Sequence, residues 1–425
     1  MFIFCFAFTF LLKLSYCGNW AVLLASSNGW TNYRHQSDVF RTYKILIRNG
    51  FDPNHIITMA YDDVAHMDAN PFPEQIFNFP DGPDVYIGSN NIDYRGADVT
   101  PEKYLAVITG DSAKANGKVL NSTKDDNVYL YLNDHGAYGV LIFPEKKKLY
   151  SQDLNEAIKS MYLRNMYKNL YVNVEACYSG SLFLHLLPLN INAYATTASN
   201  QTESSYAAFC SMEKYQYTCL SNEYSQNFHN FIENNDLKTI SIDDLFSHSR
   251  DSTKKSHPKE YGSQLLKKLK TSAFLAGELP LSPEAGLEEK GIHFPTIGES
   301  GNWKHLKQQE VHMKTLEMRA KANPFGDAAI AYHKELTQAK QEEKRYKALS
   351  RYFGVIYPDP NFHPEQLVPD LELYRRALDS YEERCGSLNE HNLWPVTSIL
   401  LDAVCQYTLN NDNFDEYLKF LRSLN

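Results

Sequence analysis

Short apolar runs alternate with helical patterns over the first two-thirds of the chain, and this alternation restricts the fold more than any other feature. The runs have the length and composition of buried strands, and the stretches between them are amphipathic. Strands that are connected through crossover helices form parallel sheets. The sequence therefore predicts an α/β fold, a mostly parallel sheet flanked by helices, with strands at residues 20–24, 55–59, 128–132, 170–174 and 191–198.

A helix is predicted between the first two strands. Ser37 is placed to cap its N-terminus and Gly50 to end it. Its apolar stripe consists of Val39, Phe40, Tyr43, Leu46 and Ile47.

Two of the predicted strands end at residues with catalytic chemistry. The third ends in Asp134-His135-Gly136, and the fourth runs into Glu175-Ala176-Cys177. Sites in open parallel sheets form beyond the carboxyl ends of strands, so His135 and Cys177 are expected on one edge if the two strands are neighbours. A thiol peptidase needs a thiolate, an imidazole and N–H donors for the oxyanion.

The N–H groups of Gly136 and Cys177 are the candidate oxyanion donors, since Gly136 has no side chain to keep a substrate carbonyl away. The alternative is that Cys177 is a small buried hydrophobe and His135 a polar turn residue.

The N-terminus and the cysteines both suggest secretion. Residues 1–17 are mostly apolar and end in small residues, as a signal peptide does, with a buried strand as the alternative. Five cysteines follow residue 17, and in an oxidising compartment an odd number leaves one thiol free. Their spacings suggest Cys210–Cys219 and Cys385–Cys405 bridges, which leaves Cys177 free. Asn121 and Asn200 begin glycosylation sequons.

Composition changes near residue 277. Prolines and glycines punctuate residues 277–302, which are predicted to be an exposed linker. Helical patterns follow at residues 328–352, 371–385, 396–409 and 415–424. The net charge of −9 gives no reason to expect a nucleic-acid partner. The histidines lack ligand spacing, and we predict no metal and no cofactor.

Several motifs together resemble the legumain family of asparaginyl endopeptidases, within the larger group that shares a caspase-like fold. They run in the same order as in the family, from about residue 19 to 275. They are Ser27-Asn28-Gly29-Trp30-Thr31-Asn32-Tyr33-Arg34-His35-Gln36, Met59-Ala60-Tyr61-Asp62-Asp63, Asp134-His135-Gly136, Glu175-Ala176-Cys177-Tyr178-Ser179-Gly180-Ser181, Tyr194-Ala195-Thr196-Thr197-Ala198 and Glu203-Ser204-Ser205-Tyr206.

The resemblance implies a role for each matching residue. Cys177 corresponds to the nucleophile and His135 to the base; Asn32 orients the histidine, and Asp134 precedes it. The specificity-pocket positions are Arg34, His35, Glu175, Ser204, Ser205 and Asn222. A substrate asparagine needs donors for its amide oxygen and acceptors for its nitrogen, which Arg34 and Glu175 can supply.

Three positions depart from the family pattern. Asn222 stands where the family has an acidic acceptor, and because an amide can also donate, we expect a weaker preference for Asn over Asp. Tyr178 replaces a Glu beside the nucleophile, and Ser26 replaces a Gly. None of the three removes a catalytic group.

The resemblance also implies a domain organisation: a signal peptide (1–17), a caspase-like catalytic domain (18–276), an activation linker (277–302) and an all-α inhibitory and stabilising prodomain (303–425). Acid-triggered cleavage is expected at Asn302 or another linker position, and not at Asn323, because Pro324 follows the latter.

The leading functional prediction is a cysteine endopeptidase that cleaves after asparagine, and after aspartate at acid pH. It would reside in a lysosomal or other acidic compartment, or be secreted. Expected partners are protein and peptide substrates, the chain's own prodomain and cystatin-type inhibitors, with no membrane span in the mature form. The alternatives are a peptide ligase or transamidase using the same thioester, and a catalytically silent binding homologue.

Overall fold

The computed structural model describes residues 18–279, 304–356, 369–389 and 391–424. The predicted signal peptide lies outside these residues, as do Asn302 and nearly all of the predicted linker. No helix among the described residues has the length and apolarity needed to cross a membrane.

A six-stranded sheet is the centre of the molecule. Its strands are β1 (Asn19–Ala25), β2 (Ile56–Ala60), β3 (Asn127–Asn133), β7 (Asn169–Glu175), β8 (Ala193–Thr197) and β11 (Lys259–Gly262). They lie in the order β11-β8-β7-β3-β1-β2, and all neighbouring pairs are parallel except β11 with β8. The five predicted strands are therefore confirmed, and the antiparallel edge strand β11 was missed.

Two smaller sheets lie beside the central one. The first is a meander of β4 (Gly136–Ala137), β5 (Val140–Ile142) and β6 (Lys148–Tyr150). The second has β9 (Tyr206–Cys210) between β10 (Ser221–Asn222) and β12 (Lys304–Lys307). The predicted prodomain thus begins with a strand that pairs with the catalytic part.

Helices cover both faces of the central sheet. In β1, Leu23 packs in one core and Leu24 in the other, because successive side chains of a strand point to opposite faces. The helices before residue 280 are α1 (Tyr33–Arg48), α2 (Pro101–Ile108), α3 (Ser112–Ala115), α4 (Ser151–Leu163), α5 (Glu223–Glu233), α6 (Ile242–Ser252) and α7 (Ser272–Leu275).

The start of α1 differs from the prediction. The helix begins at Tyr33, so Ser37 is not its N-cap; Ser37 is buried inside the helix and donates to the carbonyl of Leu220. The first turn of α1 carries Arg34 and His35, which face a polar pocket, and the apolar pattern therefore starts only after it. Gly50 follows the helix with a φ of 77°, as predicted for its end.

The C-terminal region is helical, as predicted. Its helices are α8 (Gln308–Ala322), α9 (Asp327–Phe353), α10 (Leu371–Cys385), α11 (Leu393–Cys405) and α12 (Phe414–Arg422). Helices α9 to α12 share a third apolar core with the β4–β6 meander, through Tyr138, Val140 and Tyr150 among others, whereas Val311 of α8 packs against β9. The helical region is thereby held against the segment that follows His135.

Candidate active site

His135 and Cys177 lie at adjacent strand ends. Strands β3 and β7 are paired with Asn133 opposite Glu175, so each candidate follows its strand by two residues. The amide of Asp134 also donates to the carbonyl of Glu175 at 3.0 Å. The predicted neighbourhood of the two strands is confirmed.

The His135 ring is oriented by Asn32. The Nε2 atom of His135 is 2.7 Å from Asn32 Oδ1, and Asn32 Nδ2 donates to the carbonyl of Asn28 at 2.9 Å. This second bond keeps the amide oxygen of Asn32 toward the ring, so Nε2 carries the hydrogen. The pKa of His135 is well below its usual value. The main cause is burial of the ring, and the second is the positive charge of Arg34. The ring is neutral, and Nδ1, which has no hydrogen-bond partner within the described part of the chain, is free to act as the base.

The Cys177 thiol is protonated in this covered state. Its side chain is buried, and burial raises its pKa to about 11. The Sγ atom lies 4.0 Å from Ser205 Oγ. The candidate nucleophile and the candidate base are therefore both neutral while the site is closed.

Gly136 allows the two strand ends to approach each other. A Cβ atom at this position would lie 2.4 Å from the Cys177 carbonyl oxygen and 3.1 Å from Ala176 Cβ. The structure thus gives glycine at this position a second reason, room for Ala176 and Cys177 after β7, and the expected approach of a substrate carbonyl stays a prediction.

Two neighbours support this geometry. Tyr178 follows Cys177 with a φ of 55° and donates its amide N–H to the Glu203 carbonyl at 2.7 Å, which forms the tight turn at the nucleophile. Ser26 donates to the carboxylate of Asp134, which also accepts the amide N–H of His135 at 2.5 Å. Asp134 therefore holds the backbone at the base.

A polar pocket beside Cys177 contains the side chain of Gln308, the first residue of α8. Its Oε1 accepts from Arg34 at 2.8 Å and lies 3.2 Å from His35 Nε2. Its Nε2 donates to Ser205 Oγ at 2.8 Å and to Asn222 Oδ1 at 3.2 Å, and lies 3.5 Å from Glu175 Oε1. The structure brings together every predicted pocket residue except Ser204.

Burial shifts the pKa values of two pocket residues, His35 and Glu175. Ser27 Oγ lies 2.6 Å from His35 Nδ1, which allows Nε2 to carry the hydrogen toward Gln308, and burial lowers the pKa of His35 well below its usual value. Burial and then the nearby Asp38 carboxylate raise the pKa of Glu175 to about 8. The pocket thus offers donors on one side and acceptors on the other, as a carboxamide requires.

Ser204 lies on the wall of a neighbouring cavity of about 470 Å³, together with Tyr178, Lys307 and Asp402. Ser204 therefore stands apart from the residues that bond the Gln308 carboxamide.

The helical region covers the base as well as the pocket. Trp394 of α11 donates its indole N–H to the Gly136 carbonyl at 3.0 Å, and its ring lies edge-on to His135 with centroids 6.2 Å apart. Lys148 of β6 pairs with Glu382 and, at 3.1 Å, with Asp379 of α10.

Sequence reasoning missed both Gln308 and Trp394, because nothing in a helical pattern marks a residue that binds elsewhere in the fold.

Among the described residues, His35, Asp134 and His135 bring potential metal-ligand atoms within 4.8 Å of one another. Their hydrogen bonds to Ser27, Ser26 and Asn32 account for this cluster. We assign no metal to it.

The cysteine pairing differs from the prediction. Cys210 and Cys219 form the expected disulfide, but Cys385 and Cys405 are both free. Cys385 ends α10, whereas Cys405 lies beside Asp370 and Leu373 at the start of that helix. The two thiols are therefore about 20 Å apart along the helix axis, too far for a disulfide. Parity thus did not identify Cys177, since it is one of three free thiols among the described residues.

Thiol counting checks this pairing. For a chain that lacks residues 1–17, denaturation and alkylation without reductant is expected to modify three cysteines, and five after reduction. Mass spectrometry reads the number directly. Modification of only one cysteine before reduction would contradict the structure and restore the Cys385–Cys405 bridge.

The glycosylation predictions stay untested. Asn121 is exposed, while Asn200 is half-buried with its side-chain oxygen bonded to Thr202.

Comparison with known proteins agrees with this site. The family model described as the Peptidase C13 family matches residues 19–280, which is more than half of the chain. The chain belongs to the Peptidase C13 family. Together with Cys177 and His135 at adjacent strand ends, this membership makes it a cysteine peptidase of the legumain type.

Individual members of the Peptidase C13 family show how far the similarity extends. The hemoglobinase of Schistosoma japonicum is 40% identical over 287 residues, 65% of this chain and 67% of the relative. Human legumain is 40% identical over 280 residues, 64% of each chain, so the match spans just under two-thirds of that protein. Legumain of Canavalia ensiformis is 32% identical over 425 residues, 94% of this chain and 87% of the relative.

Among solved structures, caspase-1 from Spodoptera frugiperda overlaps with a TM-score of 0.34 at 10% identity, covering 58% of this chain and 88% of that one. This likeness is too weak to bear on fold or function.

Proposed function

We propose that this chain is an endopeptidase that hydrolyses peptide bonds after asparagine, made as a zymogen whose helical region, residues 303–425, occupies its own active site. The observation that carries the proposal is the carboxamide of Gln308 in the pocket beside Cys177. Glutamine and asparagine side chains both end in a carboxamide. In the pocket the carboxamide oxygen faces hydrogen-bond donors, and its nitrogen faces acceptors.

The backbone before Gln308 supports the same interpretation. Strand β12 pairs antiparallel with β9, and the amide of Gln308 donates to the Ser205 carbonyl at 3.3 Å. An extended peptide that adds to a sheet edge makes the same bonds. At Gln308 the chain turns into α8, so the residues after it leave the extended path that a substrate would follow. Gln308 thus occupies the place of the residue before the scissile bond, called P1 below.

The geometry fits acyl transfer through a thioester. His135 Nδ1 takes the thiol proton as Cys177 Sγ attacks the carbonyl carbon of the P1 residue, and the Gly136 and Cys177 N–H groups stabilise the oxyanion. His135 then protonates the leaving amine. In the second half of the reaction, His135 takes a proton from a water molecule as the water attacks the thioester. The carboxylate product and the Cys177 thiol are then released.

Activation would require removal of the helical region from both the pocket and His135. Its carboxylates pair with Lys148, and acid protonates carboxylates, so lowering the pH weakens this contact. This favours a secreted protein or one of an acidic compartment such as the lysosome. The released region would remain a possible inhibitor in trans, as a partner of the enzyme.

Paired fluorogenic peptides test the proposal. After acid incubation, a peptide with Asn at P1 is expected to be cleaved with a kcat/KM about 100-fold above its Ala counterpart, because the pocket groups lose their partners when the carboxamide is missing. Asp and Gln peptides complete the set, and Cys177→Ala serves as the blank. Absence of turnover after proven removal of the helical region would reject the proposal.

A further inference from the structure

Asn222 can face the P1 side chain with either end of its amide, and the choice decides which substrates fit. With Oδ1 toward the pocket it accepts from a carboxamide NH₂ group. With Nδ2 toward the pocket, its N–H groups would face the N–H groups of the substrate carboxamide and repel them. In that orientation Asn222 would instead donate to a carboxylate oxygen. In the structure Oδ1 faces the pocket, 3.2 Å from Gln308 Nε2.

The other end of the amide is fixed by Asp38, a fully buried residue of α1 behind the pocket. Asn222 donates to Asp38 Oδ2 with its Nδ2 at 2.8 Å and with its backbone N–H at 3.2 Å. Its Nδ2 also lies 3.3 Å from Asn133 Oδ1. A rotated amide would place its oxygen against a carboxylate oxygen and a carbonyl oxygen, so the orientation is set by repulsion as well as by bonding.

Asp38 is in turn held by several donors. Asn78 Nδ2 and Ser221 Oγ donate to Oδ1 at 2.7 and 2.6 Å, and Asn133 Nδ2 donates to Oδ2 at 3.0 Å. The Oδ2 atom that binds Asn222 therefore has a fixed place. In the described part of the chain no hydrogen bond joins Asp38 to Gln308, so Asp38 acts on the pocket through Asn222.

We propose that Asp38 is a positioning residue for substrate selection: it fixes the Asn222 carboxamide so that the oxygen, not the nitrogen, faces P1. The neutral Asn222 then acts as an acceptor only, which corrects the expectation that its amide also donates to the substrate. The inference rests on the proposed function and adds the residue that sets the preference for Asn over Asp.

Exchanging the two side chains tests the proposal. In Asp38→Asn two amides face each other, and neither fixes the orientation of the other. The ratio of kcat/KM on the Asn peptide to kcat/KM on the Asp peptide is therefore expected to fall about tenfold or more. The double variant Asp38→Asn/Asn222→Asp restores a bonded amide–carboxylate pair and presents a carboxylate oxygen to P1. Its ratio is expected to return to the wild-type value or exceed it. Asp126→Asn is the matched control, because it makes the same exchange at a buried carboxylate that bonds Gly18 and Thr123 at the other end of β3, and its ratio should stay unchanged.

The ratio separates positioning from mere loss of folding, since a destabilised enzyme loses activity on both peptides equally. A folded, active Asp38→Asn enzyme with an unchanged ratio would overturn the proposal, as would a double variant no better than Asp38→Asn. Lack of wild-type turnover would reject the proposed function instead. In that event a crystal structure of the full-length Asp38→Asn chain decides: Gln308 Nε2 displaced from Asn222 supports the role, and unchanged contacts overturn it.

Discussion

Replacing Gln308 with alanine is expected to increase the labelling of Cys177 in the full-length chain by about 100-fold or more. Gln308 makes hydrogen bonds to Arg34, Ser205 and Asn222, and the alanine variant removes one partner from each of these buried groups. A hydrogen bond to a charged group contributes about 1.5–3 kcal/mol and one between neutral groups about 1 kcal/mol. Their sum exceeds the roughly 3 kcal/mol that a 100-fold change requires.

The measurement is the rate at which an Asn-containing, thiol-reactive peptide labels Cys177. It is made at neutral pH, where the salt bridges between Lys148 and the carboxylates of α10 are intact. Gln309→Ala is the matched control, because Gln309 lines the adjacent cavity. If Gln308→Ala and Gln309→Ala label at the same slow rate, closure depends on Trp394 and its surroundings, and Gln308 is not the inhibitory residue.

Glu175→Gln is expected to abolish a large pH dependence of stability. Burial raises the Glu175 pKa from 4.5 to about 8 in the folded chain. Between these values the folded chain keeps a proton that the unfolded chain has lost, so the free energy of unfolding decreases as the pH rises. From pH 5 to pH 8 the contribution of Glu175 amounts to about 4 kcal/mol.

Denaturant unfolding of the full-length chain at several pH values tests this. The difference in unfolding free energy between Glu175→Gln and wild type should shift in favour of the variant as the pH rises, and stay constant below pH 4.5, where Glu175 is protonated in both states. Glu317→Gln is the control: this carboxylate is on the surface of α8, its salt bridges lower its pKa, and its effect is expected to be small. Parallel curves for wild type and Glu175→Gln would contradict the raised pKa.

Local pattern was sufficient to predict the sheet. The apolar runs of β1, β2, β3, β7 and β8 are buried on both faces, and such strands appear as continuous apolar segments in a sequence. The short strands β10 and β12 were missed, because two to four residues carry no periodicity. The beginning of α1 was missed for another reason, since its first turn faces a polar pocket instead of the core.

The catalytic pair could be inferred because its residues follow strands that were themselves predictable, and motifs similar to those of known peptidases supplied the pocket positions. The predicted Cys385–Cys405 bridge was wrong because parity counts cysteines without placing them. Spacing along a sequence cannot tell that α10 separates the two thiols.

The sequence by itself determined the five parallel strands of the central sheet, the residues at their carboxyl ends and the helical character of the C-terminal region, since each depends on neighbouring residues. Only the tertiary structure decided what fills the active site. Gln308 and Asp38 reach Asn222 from opposite sides and from distant parts of the chain, and hydrogen bonds between such residues leave no periodic trace. The orientation of one amide, and the substrate preference that we derive from it, exists only after the chain has folded.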